Sequence, residues 1–317
     1  MRFLITGARG FVGSFVVSEA LARGHEVIEV MRAAGACREE HLGRHTITCD
    51  LTGEVSFDFG KTGRPDVAIH LAAAMSGTAE QQYEITVGGT DKFLDELERS
   101  GIRKLIGISS IAVVDYAALP AGTIIDEAVS VSLNFDEMAN YAKFKAMQEA
   151  SFLRFAEKSG NCVTIIRPGL VYNEGTLMAA YAGVFKGVLR MLVLHDGYVP
   201  VVEAHSLARA IVDAAEKPLG KIEVIHVVDD NLPTQQQYIK ELRSRRIIPE
   251  HVISVHWKIL ASMDKILWFF AKTLGLKAAL PDFVLPHGFA ARFKPFRFSN
   301  RKARTLLGWS PGRSFFS

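Results

Sequence analysis

Short apolar runs alternate with segments of helical periodicity along the first half of the chain. The runs are RFLITG (2–7), EVIEVM (26–31), HTITCDL (45–51), DVAIHLAA (66–73), KLIGISS (104–110) and CVTIIRPG (162–169). Between them, apolar residues recur at helical spacing, most clearly in FVGSFVVSEALARGH and from Glu80 to Ser100. Buried strands that alternate with helices through short links are typical of parallel βαβ units. The pattern therefore predicts an α/β fold, an open parallel sheet with helices on both faces.

The second half contains one unusually apolar stretch, VHWKILASMDKILWFFAKTLGL, at residues 255–276. Its apolar residues form one helical stripe, made of Ile259, Met263, Ile266, Leu267, Phe270 and Leu274 and widened by Trp257, Trp268 and Phe269. Lysines and an aspartate interrupt the run, so it should not span a bilayer. We expect a helix that packs against the core of a C-terminal lobe. A lid over an apolar substrate and weak contact with a membrane surface are the alternatives.

Composition indicates an ordinary globular protein. The chain has 317 residues, 49% of them hydrophobic, and a formal net charge of +3 that is spread along the sequence. Such a distribution argues against a nucleic-acid-binding stripe. The run RFKPFRFSNRKARTLLGWSPGR at 292–313 is the most basic part. We interpret it as a solvated face, with contact to an anionic substrate or cofactor phosphate as the alternative.

Cysteine usage and the first residues bear on the compartment. Cys37, Cys49 and Cys162 have no metal-type spacing, so we expect no metal site and a reducing environment. The opening MRFLITG is too short an apolar segment for a signal peptide. A cytoplasmic location is the expectation.

A glycine turn follows the first predicted strand. TGARGFVG places Gly7, Gly10 and Gly13 between that strand and the first helix. One glycine permits a tight turn, one lets the backbone approach a pyrophosphate, and one lets the helix pack closely on the strand. At this position the turn predicts a dinucleotide-binding site.

Six short motifs, in this order, resemble those of the extended short-chain dehydrogenase/reductase family. They are TGARGFVG, CDL, HLAA, ISS, YAKFK and RPGLVY. The family includes epimerases, dehydratases and hydroxysteroid-type dehydrogenases. The resemblance implies a Rossmann doubly wound parallel sheet at residues 1–169, with a strand returning to it near 222–228. It also implies a smaller, discontinuous substrate-binding lobe at 170–317 and, as in many members, a homodimer.

The same resemblance assigns three catalytic residues. Tyr141 would be the general acid or base, Lys145 would hold the nicotinamide ribose and lower the pKa of the phenol, and Ser110 would bind the substrate oxygen. Tyr141 and Lys145 share one helical face at i and i+4. Alternation along KLIGISS sends Ser109 and Ser110 to opposite faces, and we interpret Ser109 as a cap of the strand end.

The residue type at the tip of the second strand indicates whether NAD or NADP is bound. NAD-dependent relatives carry a carboxylate there, whereas this chain has Met31 followed by Arg32, and Arg9 lies in the glycine turn. We therefore expect NADP, with NAD as the alternative. The resemblance extends the cofactor site to Gly7, Arg9, Gly10, Phe11, Val12, Gly13, Arg32, Asp50, Leu51, Leu71, Ala72, Ala73, Tyr141, Lys145 and Pro168.

Three functions are compatible with these features. The favoured one is an NADP-dependent oxidoreductase that interconverts a secondary alcohol and a ketone on a largely apolar small molecule. A nucleotide-sugar epimerase or dehydratase with tightly held NAD is the alternative, although DGYVPVVEAHSLARA lacks the Gln-x-Arg signature common in such enzymes. A non-catalytic NADP sensor is the third. Four histidines are interpreted as structural, namely His70, His195, His205 and His226.

Overall fold

The computed structural model describes residues 1–32, 43–186, 189–276 and 280–315, so Cys37 lies outside the described residues. Its strands are β1 (Arg2–Thr6), β2 (Glu26–Met31), β3 (Arg44–Thr48), β4 (Val67–His70), β5 (Lys104–Ile108), β6 (Ile124–Ile125), β7 (Cys162–Pro168), β8 (Leu170–Tyr172), β9 (Gly183–Lys186), β10 (Leu189–Leu194), β11 (Val201–Glu203), β12 (Ile222–Val227), β13 (Ile253–His256) and β14 (Arg297–Phe298). Its α-helices are α1 (Phe11–Ala22), α2 (Ala79–Tyr83), α3 (Gly89–Arg99), α4 (Asn140–Glu157), α5 (Ala204–Glu216), α6 (Gln235–Ser244), α7 (Trp257–Thr273), α8 (Pro286–Phe293) and α9 (Arg301–Leu307).

Seven parallel strands form the main sheet in the order β12-β7-β5-β4-β1-β2-β3. Phe3 of β1 lies opposite Val27 of β2 on one side and Val67 of β4 on the other. The order of the strands reverses between β1 and β4, and in such sheets a crevice opens outside the carboxyl ends of the strands at that point. The predicted doubly wound Rossmann sheet is confirmed.

Helices cover both faces of this sheet. On one face α1 and α5 bury residues such as Val16, Ala20 and Ile211. On the other, α3 and α4 bury Phe93 and Phe152. Most apolar runs of the sequence are therefore strands that are buried on both sides, whereas the edge strand β3 is half-buried or exposed.

The long helix expected from Glu80 to Ser100 is divided into three pieces. A single π-helical turn at Glu84–Gly88 lies between α2 and α3. A Cβ on Gly89 would lie 3.2 Å from Cβ of Leu51. The glycine therefore lets the start of α3 approach the segment that follows β3.

The chain beyond Gly169 builds smaller sheets around a separate apolar core. β13, β10 and β9 form one sheet, and β11 pairs with β8. Tyr238, Leu242 and Val199 lie in the core beneath them. β12 returns to pair with β7 in the main sheet, as expected, while the boundary at residue 169 stays a prediction.

The prediction that the apolar stripe of residues 255–276 faces the core is wrong. The helix forms as α7, but the six residues of the stripe and Phe269 are exposed, with Phe269 at 63% and Leu274 at 67% exposure. Trp257 and Trp268, which were expected to widen the stripe, are half-buried, and Trp257 packs with Leu260 and Ala261 against the body of the lobe.

Candidate active site at the carboxyl edge of the main sheet

Many of the residues predicted to bind the cofactor gather at one edge of the main sheet, together with the predicted catalytic Ser110. Each follows or ends a parallel strand, so all of them meet at the carboxyl edge. The cofactor residues are Gly7 after β1, Arg32 after β2, Asp50 and Leu51 after β3, Leu71, Ala72 and Ala73 after β4 and Pro168 at the end of β7, and Ser110 follows β5.

The backbone of the glycine turn lies so close to other backbone atoms that side chains at Gly7 and Gly13 would clash. Gly7 has φ 69°, and a Cβ there would lie 2.9 Å from the amide nitrogen of Ala72. A Cβ on Gly13 would lie 2.1 Å from the carbonyl oxygen of Gly7, so the turn and the first turn of α1 touch closely. Gly10 is the N-cap of α1, which leaves the first amides of Phe11 and Val12 at a helix N-terminus. This turn therefore fits the pyrophosphate of a dinucleotide.

Arg32 and Asp50 are neighbours beyond the tips of β2 and β3. Both side chains are exposed. The pKa of Asp50 is lowered, chiefly by hydrogen bonds from the backbone and hydroxyl of Thr52 (both 2.9 Å) and further by the charge of Arg32. Arg9 is exposed in the glycine turn. A cation thus lies at the strand tip where a carboxylate would favour NAD.

The hydroxyl of Ser110 lies beside the phenol of Tyr141. Ser110 Oγ accepts the backbone N–H of Ala112 at 3.1 Å, so its own proton remains available for the phenol oxygen. Burial raises the pKa of Tyr141, and the neighbouring hydroxyl of Ser110 opposes that shift. The structure thus places Ser110, and not Ser109, beside the predicted acid. Ser109 Oγ is buried and has no hydrogen-bond partner within the part of the chain that is described.

Lys145 is buried one helical turn after Tyr141. Its ammonium donates to the carbonyl oxygen of Ile108 at 2.7 Å and to Oε1 of Gln148 at 2.8 Å. Burial lowers the pKa of Lys145 to about 7, although the charge of Glu149 opposes the shift. The expected lowering of the pKa of Tyr141 by Lys145 is not seen here, because burial is the larger effect on that phenol.

A buried series of hydrogen-bonded side chains leads from Gln148 toward the glycine turn. No sequence motif predicted this series. Gln148 Nε2 donates to Thr90 Oγ1 at 2.8 Å. His70 bridges Thr90 and Thr6 through its two ring nitrogens, both at 2.8 Å. Burial lowers the pKa of His70 to about 3, so the ring is neutral, in line with its structural interpretation. No local motif marks Gln148, and only its complete burial in α4 identifies it.

Tyr181 lies near both Tyr141 and Arg292. Arg292 belongs to the basic run for which contact with an anionic substrate was the alternative, whereas Tyr181 was not predicted. Burial raises the pKa of Tyr181 to about 12, while the charge of Arg292 opposes the rise and the phenol of Tyr141 adds to it. Arg292 belongs to α8, which contacts the short helical turns at 135–137 and 179–181. His287 of α8 bonds to the carbonyl oxygen of Val114 at 2.9 Å and so anchors the helix beside the segment that follows Ser110.

Comparison with known proteins places these features in a family. The model of the NAD dependent epimerase/dehydratase family matches residues 3–221. A 3-diazoavenalumate denitrifying reductase from Streptomyces sp. is 24% identical over 98% of this chain and 96% of its own length. A 3 beta-hydroxysteroid dehydrogenase/Delta 5-->4-isomerase from Mycobacterium tuberculosis is 26% identical over 75% of this chain and 64% of its own.

Solved structures share the fold. The UDP-glucose 4-epimerase of Thermus thermophilus in complex with NAD superimposes with a TM-score of 0.68 at 20% identity, over 99% of this chain and 95% of the epimerase. Since the family model covers well over half of the chain and the glycine turn has the expected shape, the chain belongs to the NAD-dependent epimerase/dehydratase family.

Proposed function

We propose that this protein is an NADP-dependent oxidoreductase that interconverts a secondary alcohol and a ketone on a largely apolar small molecule. The observation that carries the proposal is the placement of Ser110 beside Tyr141 at the carboxyl edge of the sheet, with buried Lys145 one turn away. A positioned phenol, a hydroxyl and an amine are the groups that a carbonyl reduction requires for proton transfer.

Each residue has a defined task in the reaction. With its pKa raised, Tyr141 carries its proton at neutral pH and gives it to the carbonyl oxygen during reduction. Ser110 donates a hydrogen bond toward the same oxygen and aligns it. Lys145, once protonated, stabilises the phenolate that remains. The bound nicotinamide supplies the hydride.

The cofactor assignment rests on Arg32. Its guanidinium lies at the strand tip close to Asp50, and Arg9 lies in the adjacent turn. A 2′-phosphate there would receive charge-assisted hydrogen bonds, which are stronger than those to a ribose hydroxyl.

The relatives and the sequence support an apolar substrate. A 3 beta-hydroxysteroid dehydrogenase is among the relatives, and the segment DGYVPVVEAHSLARA lacks the Gln-x-Arg signature common in nucleotide-sugar enzymes. We further propose that the protein acts in the cytoplasm as a homodimer.

A nucleotide-sugar epimerase or dehydratase is the second candidate, and Arg292 favours it. The charge of this residue and the phenol of Tyr141 both act on Tyr181, which brings Arg292 close to the catalytic groups. A cation in this position is the kind of group that a diphosphate requires, and it stands in for the arginine that the sequence lacked.

Titration of the cofactor-bound protein with uridine diphosphate separates the two candidates. The oxidoreductase proposal predicts no micromolar binding at the substrate site and a kcat/KM for ketones that rises about 4-fold per buried methylene. Micromolar binding that is lost in Arg292→Ala but kept in Arg297→Ala would overturn the apolar substrate and support the epimerase.

A further inference from the structure

Helix α7 exposes large apolar side chains over most of its length. Ile259, Met263, Ile266 and Phe269 are each about 60% exposed, between 59% and 63%. Side chains of this size are ordinarily buried, and an exposed contiguous set on one element marks an interaction surface.

The residues of α7 that face the body of the lobe lie on a different side of the helix. Trp257, Leu260, Ala261, Asp264, Trp268 and Ala271 are buried or half-buried. Apart from the adjacent pair Leu260 and Ala261, they follow one another at intervals of three or four and so form one line along the helix. α7 is therefore held to the lobe by one side and presents another to its surroundings.

The exposed apolar residues occupy a continuous arc. At about 100° per residue, the set covers roughly 160° of the helix circumference. Its members are Ile259, Met263, Ile266, Leu267, Phe269, Phe270 and Leu274. Two hydroxyl residues, Ser262 and Thr273, lie within the arc near one of its edges.

A row of lysines borders that same edge. Lys258, Lys265 and Lys272 are exposed and spaced by seven residues, which brings them onto one line along the helix. The charged residue of opposite sign on this helix, Asp264, lies instead on the half-buried side, where burial raises its pKa to about 7. The exposed surface therefore combines an apolar arc with a purely cationic border.

We propose that α7 lies in the interface of an anionic phospholipid bilayer, with the apolar arc among the acyl chains and the lysine row against the lipid phosphates. An apolar face with a basic flank is what such a surface binds. Lysine stems bury along apolar surface while the ammonium groups reach the headgroups. Among the described helices, none has both the length and the apolar content needed to cross a membrane, so the contact is peripheral.

The position of α7 gives the contact a consequence for the active site. α7 packs on α8, which also contacts the helical turn at 135–137, a few residues before Tyr141, and the turn at 179–181, which ends at Tyr181. A bilayer against α7 would therefore lie one helix away from these two turns. The lipid contact itself does not depend on the reaction that the site performs.

Flotation of the full chain with vesicles tests the proposal. The protein should float with phosphatidylcholine vesicles that contain phosphatidylglycerol, and should do so less with added salt or with phosphatidylcholine alone. Reversing the row by Lys258→Glu, Lys265→Glu and Lys272→Glu should lower the partition coefficient by about 100-fold. The charge-matched triple variant Lys61→Glu, Lys221→Glu and Lys240→Glu should remain bound.

The apolar arc is tested separately. Phe269→Ser with Phe270→Ser should lower partitioning by about 100-fold and leave thermal unfolding unchanged, because both side chains are exposed. Leu306→Ser, on the exposed side of α9, is the control and should not alter binding. Failure of the wild type to float with anionic vesicles, or equal floating of the phenylalanine variant, would overturn the proposal. Conversion of a wild-type dimer to a monomer by that variant, without any vesicle binding, would instead identify a second copy of the chain as the occupant.

Discussion

Burial at the start of α4 favours the neutral forms of both Tyr141 and Lys145. It raises the pKa of the phenol and lowers that of the ammonium to about 7. The ammonium is the form that stabilises a phenolate and holds a ribose, so its fraction falls as pH rises through about 7. Activity that needs this charge should fall in the same window.

Gln148 is predicted to set the upper pH limit of activity. Its Oε1 accepts a hydrogen bond from Lys145 at 2.8 Å and so stabilises the charged amine. Gln148→Leu removes that acceptor, which should lower the pKa of Lys145 and move the basic limb of the kcat profile to lower pH. Gln148→Glu supplies a negative charge and should move the limb to higher pH.

The pair of variants distinguishes positioning from simple packing. If Gln148 had only a structural role, both variants would have a lower kcat and the basic limb of the pH profile would not move. Shifts of that limb in the same direction in both variants would contradict the role given to Gln148. The measurement is the pH dependence of kcat at saturating substrate and cofactor.

Arg32 is predicted to select the phosphate of NADP. Arg32→Ala should raise the Kd of NADP by about 10- to 150-fold, because a charge-assisted hydrogen bond contributes roughly 1.5–3 kcal/mol. The Kd of NAD should change little, since the guanidinium then faces only a hydroxyl. Fluorescence titration with both reduced cofactors measures the two constants, and equal losses would disprove the preference for NADP.

The sequence predicted the residues that carry family motifs and missed those that act through burial. Tyr141, Lys145 and the glycines stand in recognisable order along the chain. Gln148 does not, because a glutamine on a helix has the same local appearance whether it is solvated or buried. Arg292 stood in a basic run that left contact with an anionic group only as an alternative. Packing of separate elements decides which case holds.

At the scale of elements, α4 is joined to β7 by a buried ion pair. Arg167 Nε donates to Glu149 Oε2 at 3.1 Å, a second contact joins the other guanidinium nitrogen to Oε1, and both side chains are 5% exposed or less. The pair fixes the helix that carries Tyr141 against the strand that ends at Pro168.

Breaking this pair should destabilise the protein strongly. Glu149→Leu leaves the guanidinium buried without its partner, which costs about 3–5 kcal/mol. Asp91→Asn is the matched control, because it breaks a pair with Arg154 whose side chains are 46% and 60% exposed, and it should cost less than about 1 kcal/mol. Chemical unfolding measures both, and similar costs would contradict a structural role for the buried pair.

The periodicity of the apolar residues explains why α7 was predicted as a helix. It also explains why the wrong face of that helix was expected to be buried. The apolar stripe specifies one face of a helix and does not say what covers that face. Here Trp257, Leu260 and Ala261 supply the contact with the lobe, and the stripe is left exposed.

At the scale of the whole molecule, the sheet was the most predictable part. Apolar runs joined by helices leave few arrangements other than a parallel sheet with both faces covered. The short strands outside the main sheet were less predictable, because pairs such as β8 with β11 and β6 with β14 join two or three residues over long stretches of chain. Their pairing depends on contacts that the local pattern does not contain.

The chemistry of the whole molecule is tested most directly by the reduction of an apolar ketone by NADPH in the wild type and in Tyr141→Phe. The wild type should oxidise NADPH in proportion to the alcohol formed. Tyr141→Phe should keep its affinity for NADPH and lose roughly 100- to 10,000-fold in kcat, since only the transferable proton is removed. Comparable turnover in Tyr141→Phe, or wild-type conversion of a sugar nucleotide without net consumption of NADPH, would contradict the account.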